Sequence, residues 1–415
     1  MKAEAIRLES SEASLAGVSS ARSDAAGALA MADQGRTNAA ILIGIVSTLM
    51  AIGLIMTYSA AATLDPDRMP RSFLTSATMK QLTLIVGGLT VLLISSYVPY
   101  RIWRWREGPI GRWMQPSVLL FLLTLALLVA VLVPGIGEVR NGAQRWIRAG
   151  PVEFQPSELA KLSMVVLLSA WASSSRHPIW RFFTGMLPAC VIIGLTVAAV
   201  GIEDFGTAAL LAAVGGMLFL AAGARLWDVV ILAFPASLGL WHLLTSKPYR
   251  MERLTMFTRI WDDPLNKGYH QVQSLCTIAS GGWWGRGLGQ GIQKYGYLPE
   301  SRTDSIFAVI CEELGMPGAL LVIGLFLALI WMGRRVMLSC PDRFGRMLAL
   351  GITLVLAVQA AMNIAVVTVS VPTKGIALPF VSAGGSGVIC LSLMVGVLAN
   401  IARHGGDALR CDNGA

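Results

Sequence analysis

Long unbroken runs of apolar residues organise this chain. Those of roughly 17–25 residues, the length needed to cross a bilayer as a helix, centre near 39–62, 79–98, 116–134, 157–174, 182–201, 206–223, 226–244, 307–332, 346–370 and 384–402. The pattern predicts an all-α polytopic integral membrane protein of about ten transmembrane helices, with one large polar interval, 245–303, between the seventh and eighth. Two runs are irregular. Glu158 and Lys161 fall in the first turns of the fourth, and Cys311-Glu312-Glu313-Leu314-Gly315-Met316-Pro317-Gly318 interrupts the eighth, so that 305–314 reads as a separate half-helix. Residues 1–36, rich in Ala, Ser and mixed charge, are expected to form a disordered tail, and 404–415 a second tail. The apolar run after Arg36 is too long for a cleaved signal sequence and reads as an uncleaved anchor. The membrane unit is therefore 37–403.

Composition sharpens this picture. Of 415 residues 55% are hydrophobic and 14% charged, against roughly 25% charged in soluble chains, and the mean hydropathy is +0.64. A soluble enzyme is excluded. The net charge of +9 does not point to nucleic acid, because the basic residues sit at the ends of apolar runs and in one long loop. With the amino terminus inside, the short inner loops hold eleven Lys or Arg (Arg101, Arg104, Arg106, Arg112, Arg176, Arg181, Arg225, Arg334, Arg335, Arg343, Arg346) and the short outer ones seven (Arg68, Arg71, Lys80, Arg140, Arg145, Arg148, Lys374). This bias predicts both termini in the cytoplasm and the 245–303 interval outside. Six scattered cysteines without a C-x-x-C pair, and four histidines without ligand spacing, suggest neither a disulfide scaffold nor a zinc site.

Ionisable groups in or beside spanning helices are costly and are functional candidates for that reason. Here they are Glu158, Lys161, Asp204, Asp304, Glu312, Glu313 and Lys374. Glu158 and Lys161, three apart on one helix, either neutralise each other or line a polar cavity. Asp304 follows Arg302-Thr303 where a basic loop re-enters the membrane. It is placed either to take a proton from a hydroxyl beside a phosphate-bearing substrate or to start a helix as an N-cap. Lys374 precedes the Pro- and Gly-dense stretch Leu378–Gly387, whose irregular backbone is tolerated at membrane depth only inside protein or around a cavity. It is either an anion ligand or a snorkelling lysine. The interval 135–156 and the Trp261, Trp283 and Trp284 region read as outer loops, the latter an amphipathic segment at headgroup level. Arg101, Trp103, Arg104, Trp105 and Arg106 read as an interfacial anchor. Gly285-Arg286-Gly287-Leu288-Gly289 lacks the βαβ setting of a dinucleotide loop.

Several segments taken together resemble the SEDS family (FtsW, RodA, SpoVE) of peptidoglycan glycosyltransferases, over about 40–403. They are Tyr58-Ser59-Ala60; Asn141-Gly142-Ala143-Gln144-Arg145-Trp146-Ile147; Gln155-Pro156-Ser157-Glu158-Leu159-Ala160-Lys161; Asp204-Phe205-Gly206-Thr207; the 285–289 glycine run; Tyr297-Leu298-Pro299-Glu300; Thr303-Asp304; Glu312-Glu313-Leu314-Gly315; and Leu378-Pro379-Phe380-Val381-Ser382. The resemblance implies that Asp304 is the catalytic aspartate and Trp146 the sensitive outer-loop tryptophan, and that Glu158 and Lys161 face a cavity. Pro372-Thr373-Lys374-Gly375 looks more like the division branch, FtsW, than the elongation branch, RodA. Three places depart from the family: Arg302-Thr303-Asp304-Ser305 for His-Thr-Asp-Phe, Ser382-Ala383-Gly384-Gly385-Ser386-Gly387 for Ser-Tyr-Gly-Gly-Ser-Ser, and Glu203 where a proline often stands.

The resemblance further implies lipid II as donor and acceptor, joined by inversion into a β-1,4 glycan on the outer face of the bacterial cytoplasmic membrane. Asp304 would be the base, and some of Arg145, Arg286, Lys294, Arg302 and Lys374 would neutralise the pyrophosphate. Glu300, Thr303 and Ser382 complete the expected substrate-binding set. A divalent cation, Mg or Mn, at the pyrophosphate is chemically compatible, although no ligand cluster demands it. The expected partners are a class B penicillin-binding protein transpeptidase and other divisome or elongasome membrane proteins. Two competing readings remain from the sequence: a flippase or transporter of a lipid-linked precursor, which the midplane charges Glu158, Lys161 and Asp204 suit, and a scaffold that has lost catalysis.

Overall fold

The computed structural model describes residues 33–61, 76–105, 115–140, 143–149, 152–174, 179–225 and 248–404, with scattered positions between 227 and 245. Its helices are α1 (Asp33–Ser59), α2 (Ser76–Tyr97), α3 (Pro116–Ala130), α4 (Pro156–Ser173), α5 (Leu187–Gly201), α6 (Phe205–Ala221), α7 (Pro248–Thr258), α8 (Tyr269–Gly281), α9 (Ile306–Ser339), α10 (Arg343–Val367) and α11 (Ser386–His404). A π turn, Phe182–Met186, leads into α5. Six of these are long and apolar enough to cross a membrane: α1, α2, the Phe182–Gly201 segment, α9, α10 and α11; α3 and α6 are shorter apolar helices. The expected span at 226–244 lies largely outside the described residues, as do most of the 1–36 tail and the residues after His404. The tail is shorter than expected, because α1 already begins at Asp33.

Burial separates the bundle into an inside and a rim. Helix α4 is the interior: fourteen of its residues are buried, Lys161 among them. A helix apolar all round and covered all round is a core helix, which explains how this run holds two charges. It packs on α3, α10, α5 and α6, while α2 packs chiefly on α11 and α9 on α10. In the most apolar window of α11 72% of residues are buried, against 28% in α9. Accordingly α9 displays Leu320, Leu321, Leu327 and Trp331 on its outer side, a surface suited to hydrocarbon rather than water.

Two intervals read as loops have structure. Residues 135–156 contain a three-stranded antiparallel sheet, β1 (Gly137–Arg140), β2 (Ala143–Ala149) and β3 (Val152–Phe154), in the order β1-β2-β3. Trp146 pairs with Glu138 and Ile147 with Phe154. The long outer interval carries α7 and α8 and then a series of glycine turns.

Helix α9 is broken, as the sequence suggested. Gly315 has φ 63° and ψ −156°, which separates Ile306–Leu314 from the remainder, and Pro317 follows. A helix end leaves carbonyls without partners, and the glycine run supplies them. The Arg286 and Gly287 amides donate to the Glu312 and Glu313 carbonyls, each at 2.9 Å, and the Met316 amide donates to the Trp283 carbonyl. A Cβ on Gly315 would lie 2.3 Å from the Gly285 nitrogen, and one on Gly285 2.3 Å from the Glu313 carbonyl oxygen. The 285–289 motif is thus a helix cap rather than a phosphate cradle.

Below the cap, two buried carboxylates fix the same loop. Glu313 accepts from Lys294 Nζ at 2.8 Å, from Ser59 Oγ at 2.6 Å and from the Gly289 amide at 2.9 Å. Glu312 accepts from the Ile292 amide at 2.9 Å and from Ser280 Oγ at 3.3 Å. One ion pair thereby ties α1, the loop and the half-helix together.

Two outcomes follow for stability. Gly315→Ala places a side chain in a region essentially reserved for glycine, at a cost on the order of 1–3 kcal/mol before the clash with Gly285; thermal unfolding in detergent should show a clearly lowered midpoint. Lys294→Met leaves Glu313 charged and unpaired, at a cost of roughly 3–5 kcal/mol. The double variant Lys294→Met/Glu313→Gln should recover a good part of that loss, and equal midpoints for single and double variants would contradict the role given to the pair.

Candidate functional site

The break in α9 matters because of what begins on its other side. The half-helix starts at Ile306 with Ser305 as its N-cap residue, which makes no side-chain cap bond. Asp304 lies one residue further out and is therefore not the helix cap. Its carboxylate faces the loop between α10 and α11: a Cβ on Gly375 would sit 3.1 Å from Asp304 Oδ2. The main chain of Asp304 is held from behind, where Asn363 Nδ2 donates to the Asp304 carbonyl at 2.9 Å and to the Ile376 carbonyl at 2.7 Å. One buried amide on α10 thus sets the spacing between the Thr303-Asp304 turn and the Lys374–Ile376 segment.

The 378–383 segment is stitched to the same turn. Ser382 Oγ donates to the Thr303 carbonyl at 2.6 Å and accepts from the Leu378 amide at 2.8 Å. The Ala383 amide donates to the Arg302 carbonyl at 2.9 Å. Ser382 is 1% exposed, so it positions this turn from inside. Thr303 Oγ1 donates to Glu300 Oε2 at 2.8 Å. Ser305, where the family has phenylalanine, contacts His270 Nε2 at 3.2 Å and donates to the Pro299 carbonyl.

Lys374 stands on the opposite wall. Its ammonium lies 4.8 Å from the centre of the Phe205 ring, and its Cβ would be 3.3 Å from a Cβ on Gly206 at the start of α6. Among the described residues it has no ion-pair partner within 4.0 Å. Burial lowers its pKa below the ordinary lysine value, partly offset by Asp204. A half-buried ammonium that forms no ion pair among the described residues favours an incoming anion.

Asp204 is already committed. It caps α6, accepting from the Thr207 amide at 3.1 Å and from Thr207 Oγ1 at 2.9 Å, and Arg145 Nη1 lies 3.8 Å away. Arg145 Nε donates to the Glu203 carbonyl at 2.9 Å, and the Glu203 carboxylate accepts from the Gln144 amide at 3.1 Å. The glutamate that replaces the family's proline therefore docks the sheet onto the α5–α6 turn. Successive strand residues point to opposite faces. Arg145 is turned to that junction, and Trp146 is turned to the 384–387 loop, where a Cβ on Gly385 would lie 3.6 Å from Trp146 Cζ3. Ser386 Oγ accepts from the Gln155 amide at 3.0 Å.

Beneath this shell sits the polar pair of α4. Lys161 Nζ lies 2.7 Å from Glu158 Oε2 and donates to Gln359 Oε1 at 2.8 Å, and Gln359 Nε2 donates to the Ala377 carbonyl at 3.0 Å. Lys161 is 2% exposed, while Glu158 reaches Gly387, whose Cβ would lie 3.2 Å from Oε2. The pair both neutralises itself and supports the loop carrying Lys374.

The structure therefore brings together Asp304, Thr303, Lys374, Ser382, Trp146, Arg145, Glu158 and Lys161. It sets three expected cation ligands apart. Lys294 is 4% exposed and spends its donors on Glu313, Ser59 and the Gly289 carbonyl. Arg302 donates to the Ala60 and Ala61 carbonyls at the end of α1. Arg286 donates to the Ser280 carbonyl, 3.9 Å from Glu312. All three are consumed by helix ends and buried acids. The sequence reading missed Asn363 and Gln359, which stand one turn apart on an apolar helix, a spacing that signals an internal polar contact. It also missed His270, for which no local pattern exists.

The sequence matches the FTSW_RODA_SPOVE family model, described as "Cell cycle protein", over residues 39–406. Stage V sporulation protein E of Bacillus subtilis is 38% identical over 365 residues, covering 88% of this chain and 96% of that protein. A protein of Geobacter sp. strain M18 named "Probable peptidoglycan glycosyltransferase FtsW" is 37% identical over 354 residues, covering 85% and 93%. Among solved structures, one described as "Structural coordination of polymerization and crosslinking by a peptidoglycan synthase complex" aligns with a TM-score of 0.70 at 25% identity, covering 88% of this chain and 97% of that one. The fold is shared as well with the Thermus thermophilus rod shape determining protein RodA, at a TM-score of 0.61 over 88% and 96% of the two chains. With its apolar helices, its ordered motifs and this extent of similarity, the chain is an integral membrane protein belonging to the FtsW, RodA and SpoVE family, the SEDS proteins.

Proposed function

We propose that this protein is a peptidoglycan glycosyltransferase that polymerises lipid II into β-1,4 glycan strands for septal wall synthesis. The observation that carries this reading is the pairing of a carboxylate and an unpartnered ammonium across one mouth of the bundle, Asp304 against the Gly375 backbone and Lys374 over Phe205. Displacement at the donor's anomeric carbon breaks the bond to the pyrophosphate and forms the bond to the acceptor 4-hydroxyl. The acceptor proton goes to Asp304, and Lys374 takes the charge growing on the departing pyrophosphate. Trp146, on the central strand and facing the 384–387 loop, offers an apolar platform for a sugar ring.

The division-type reading is supported by the names of the FtsW relatives and by Pro372-Thr373-Lys374-Gly375. We place the site on the outer face of the cytoplasmic membrane from the basic bias of the opposite loops. Its partner is a cross-linking transpeptidase of the class B penicillin-binding type; the neighbouring solved structure, described as a complex that coordinates polymerisation and crosslinking, supports this pairing. Among the described residues no three His, Cys, Asp or Glu side chains gather as a metal site. That donor set does not fit a divalent ion held by the protein alone. The flippase alternative needs mobile midplane charges, whereas Lys161 is locked to Glu158 and Gln359 and Asp204 to its cap.

Asp304→Asn should abolish glycan formation from purified lipid II, by a factor of at least 10²–10⁴ for loss of a general base, with an unchanged unfolding midpoint in detergent. Near-normal polymerisation by that variant would overturn the assignment. Lys374→Met should raise KM for lipid II far more than it changes stability. For the wild type the sign with pH is fixed: the ammonium binds an anion only while protonated, and its pKa is lowered. KM should therefore rise with alkalinity at a lower pH than an ordinary lysine requires, and Lys374→Arg should remove that limb.

A further inference from the structure

The end of the bundle remote from Asp304 carries a second site. Lys80, near the start of α2, lies 3.4 Å from Glu153 of the sheet, and α11 starts at Ser386 beside the catalytic loop. The far ends of α2 and α11 therefore lie together at the opposite side of the membrane. There they enclose a groove of about 170 Å³ lined by Val91, Ile94, Ser95, Val98, Trp103 and Leu393, with Val397 at its base. Its wall is almost entirely apolar, and Ile94 is 61% exposed at its rim.

The mouth is cationic. Arg403 stacks 4.8 Å from the Tyr97 ring centre and donates to Ser96 Oγ at 3.2 Å, the two residues that lie between the groove-lining Ser95 and Val98. Arg101 lies over the Tyr100 ring, between the groove-lining Val98 and Trp103, and Arg104 is exposed, 3.8 Å from Asp342. Of these three arginines Asp342 pairs with one, Arg104. An apolar slot between spanning helices with a basic rim on the side read as cytoplasmic matches a two-part ligand with a hydrocarbon chain and an anionic head.

We propose that this groove binds an anionic phospholipid of the inner leaflet, its acyl chain between α2 and α11 and its phosphate at Arg403 and Arg101. The bound lipid joins the two helices whose other ends frame the active site. The site is independent of the polymerase reading, because it is measured by binding alone.

The test is native mass spectrometry of the full-length protein in detergent, titrated with dioleoylphosphatidylglycerol or dioleoylphosphatidylcholine. Wild type should retain one phosphatidylglycerol in preference to phosphatidylcholine. Arg403→Gln should weaken that retention roughly fivefold, the ratio expected for one basic residue at a membrane surface. Ile94→Trp, which adds bulk at an exposed rim position and leaves the core untouched, should abolish it. Equal retention of both lipids, or retention unaffected by either variant, would overturn the proposal. A groove shielded only when a single-span partner protein is present would do the same, by assigning it to a helix.

Discussion

Inside a bilayer there is no water to satisfy a backbone amide or carbonyl, so any departure from helix at membrane depth must find its partners within the protein. Among the described residues the chain departs from helix at the break at Gly315 and in the 372–387 stretch, at opposite ends of the Ile306–Leu314 half-helix, and each is answered by a specific set of bonds. At the first, a glycine run delivers its amides to the carbonyls of a half-helix. At the second, Asn363, Gln359 and Ser382 deliver side-chain donors to loop carbonyls. The constraint is strict because each unsatisfied group would cost several kcal/mol.

The energetics of the buried charges belong to the same logic. Glu313–Lys294 and Glu158–Lys161 are poor sources of net stability, since desolvation consumes much of their attraction. What they supply is register. Glu313 meets donors from α1, from the loop and from Lys294 at once, which leaves the half-helix one way to sit. Glu158 and Lys161 reach α11 and α10 from the core helix. Neutral replacements of equal volume could pack as well, yet they would not tell the 282–298 loop or the 372–387 loop where to stop. Asp304 and Lys374, the pair on which the proposed reaction rests, lie on the segments that these two clusters hold.

What could be read from the sequence divides along physical lines. Six of the expected spans and the break in α9 were legible because hydrophobic run length, Gly and Pro act locally. The motif residues Trp146, Glu158, Asp304, Lys374 and Ser382 lie near one another in the fold. The fate of individual cations was not legible: Arg302, Arg286 and Lys294 have the same composition signal as Lys374, and only the folded chain shows that the first three end on carbonyls or a buried acid. The sheet at 137–154 was missed because its strands are only 4, 7 and 3 residues long. The departures from the family become intelligible in the same way. Glu203 accepts an amide bond from Gln144, and Ser305 engages His270, so each replacement brings its own contact.

The wall of the site opposite the half-helix is built from α6, α10, α11 and the sheet, and of these α11 is the element most enclosed by the rest. It begins at the 372–387 loop with Ser386 and Gly387 against Gln155 and Glu158, and it ends where Asn400 accepts from the Tyr100 amide and donates to the Ser96 carbonyl. Helix α11 thus anchors one end of that loop, while Asn363 on α10 sets the loop's spacing from the Asp304 turn. Two helices, rather than one, hold Lys374 and Asp304 in register.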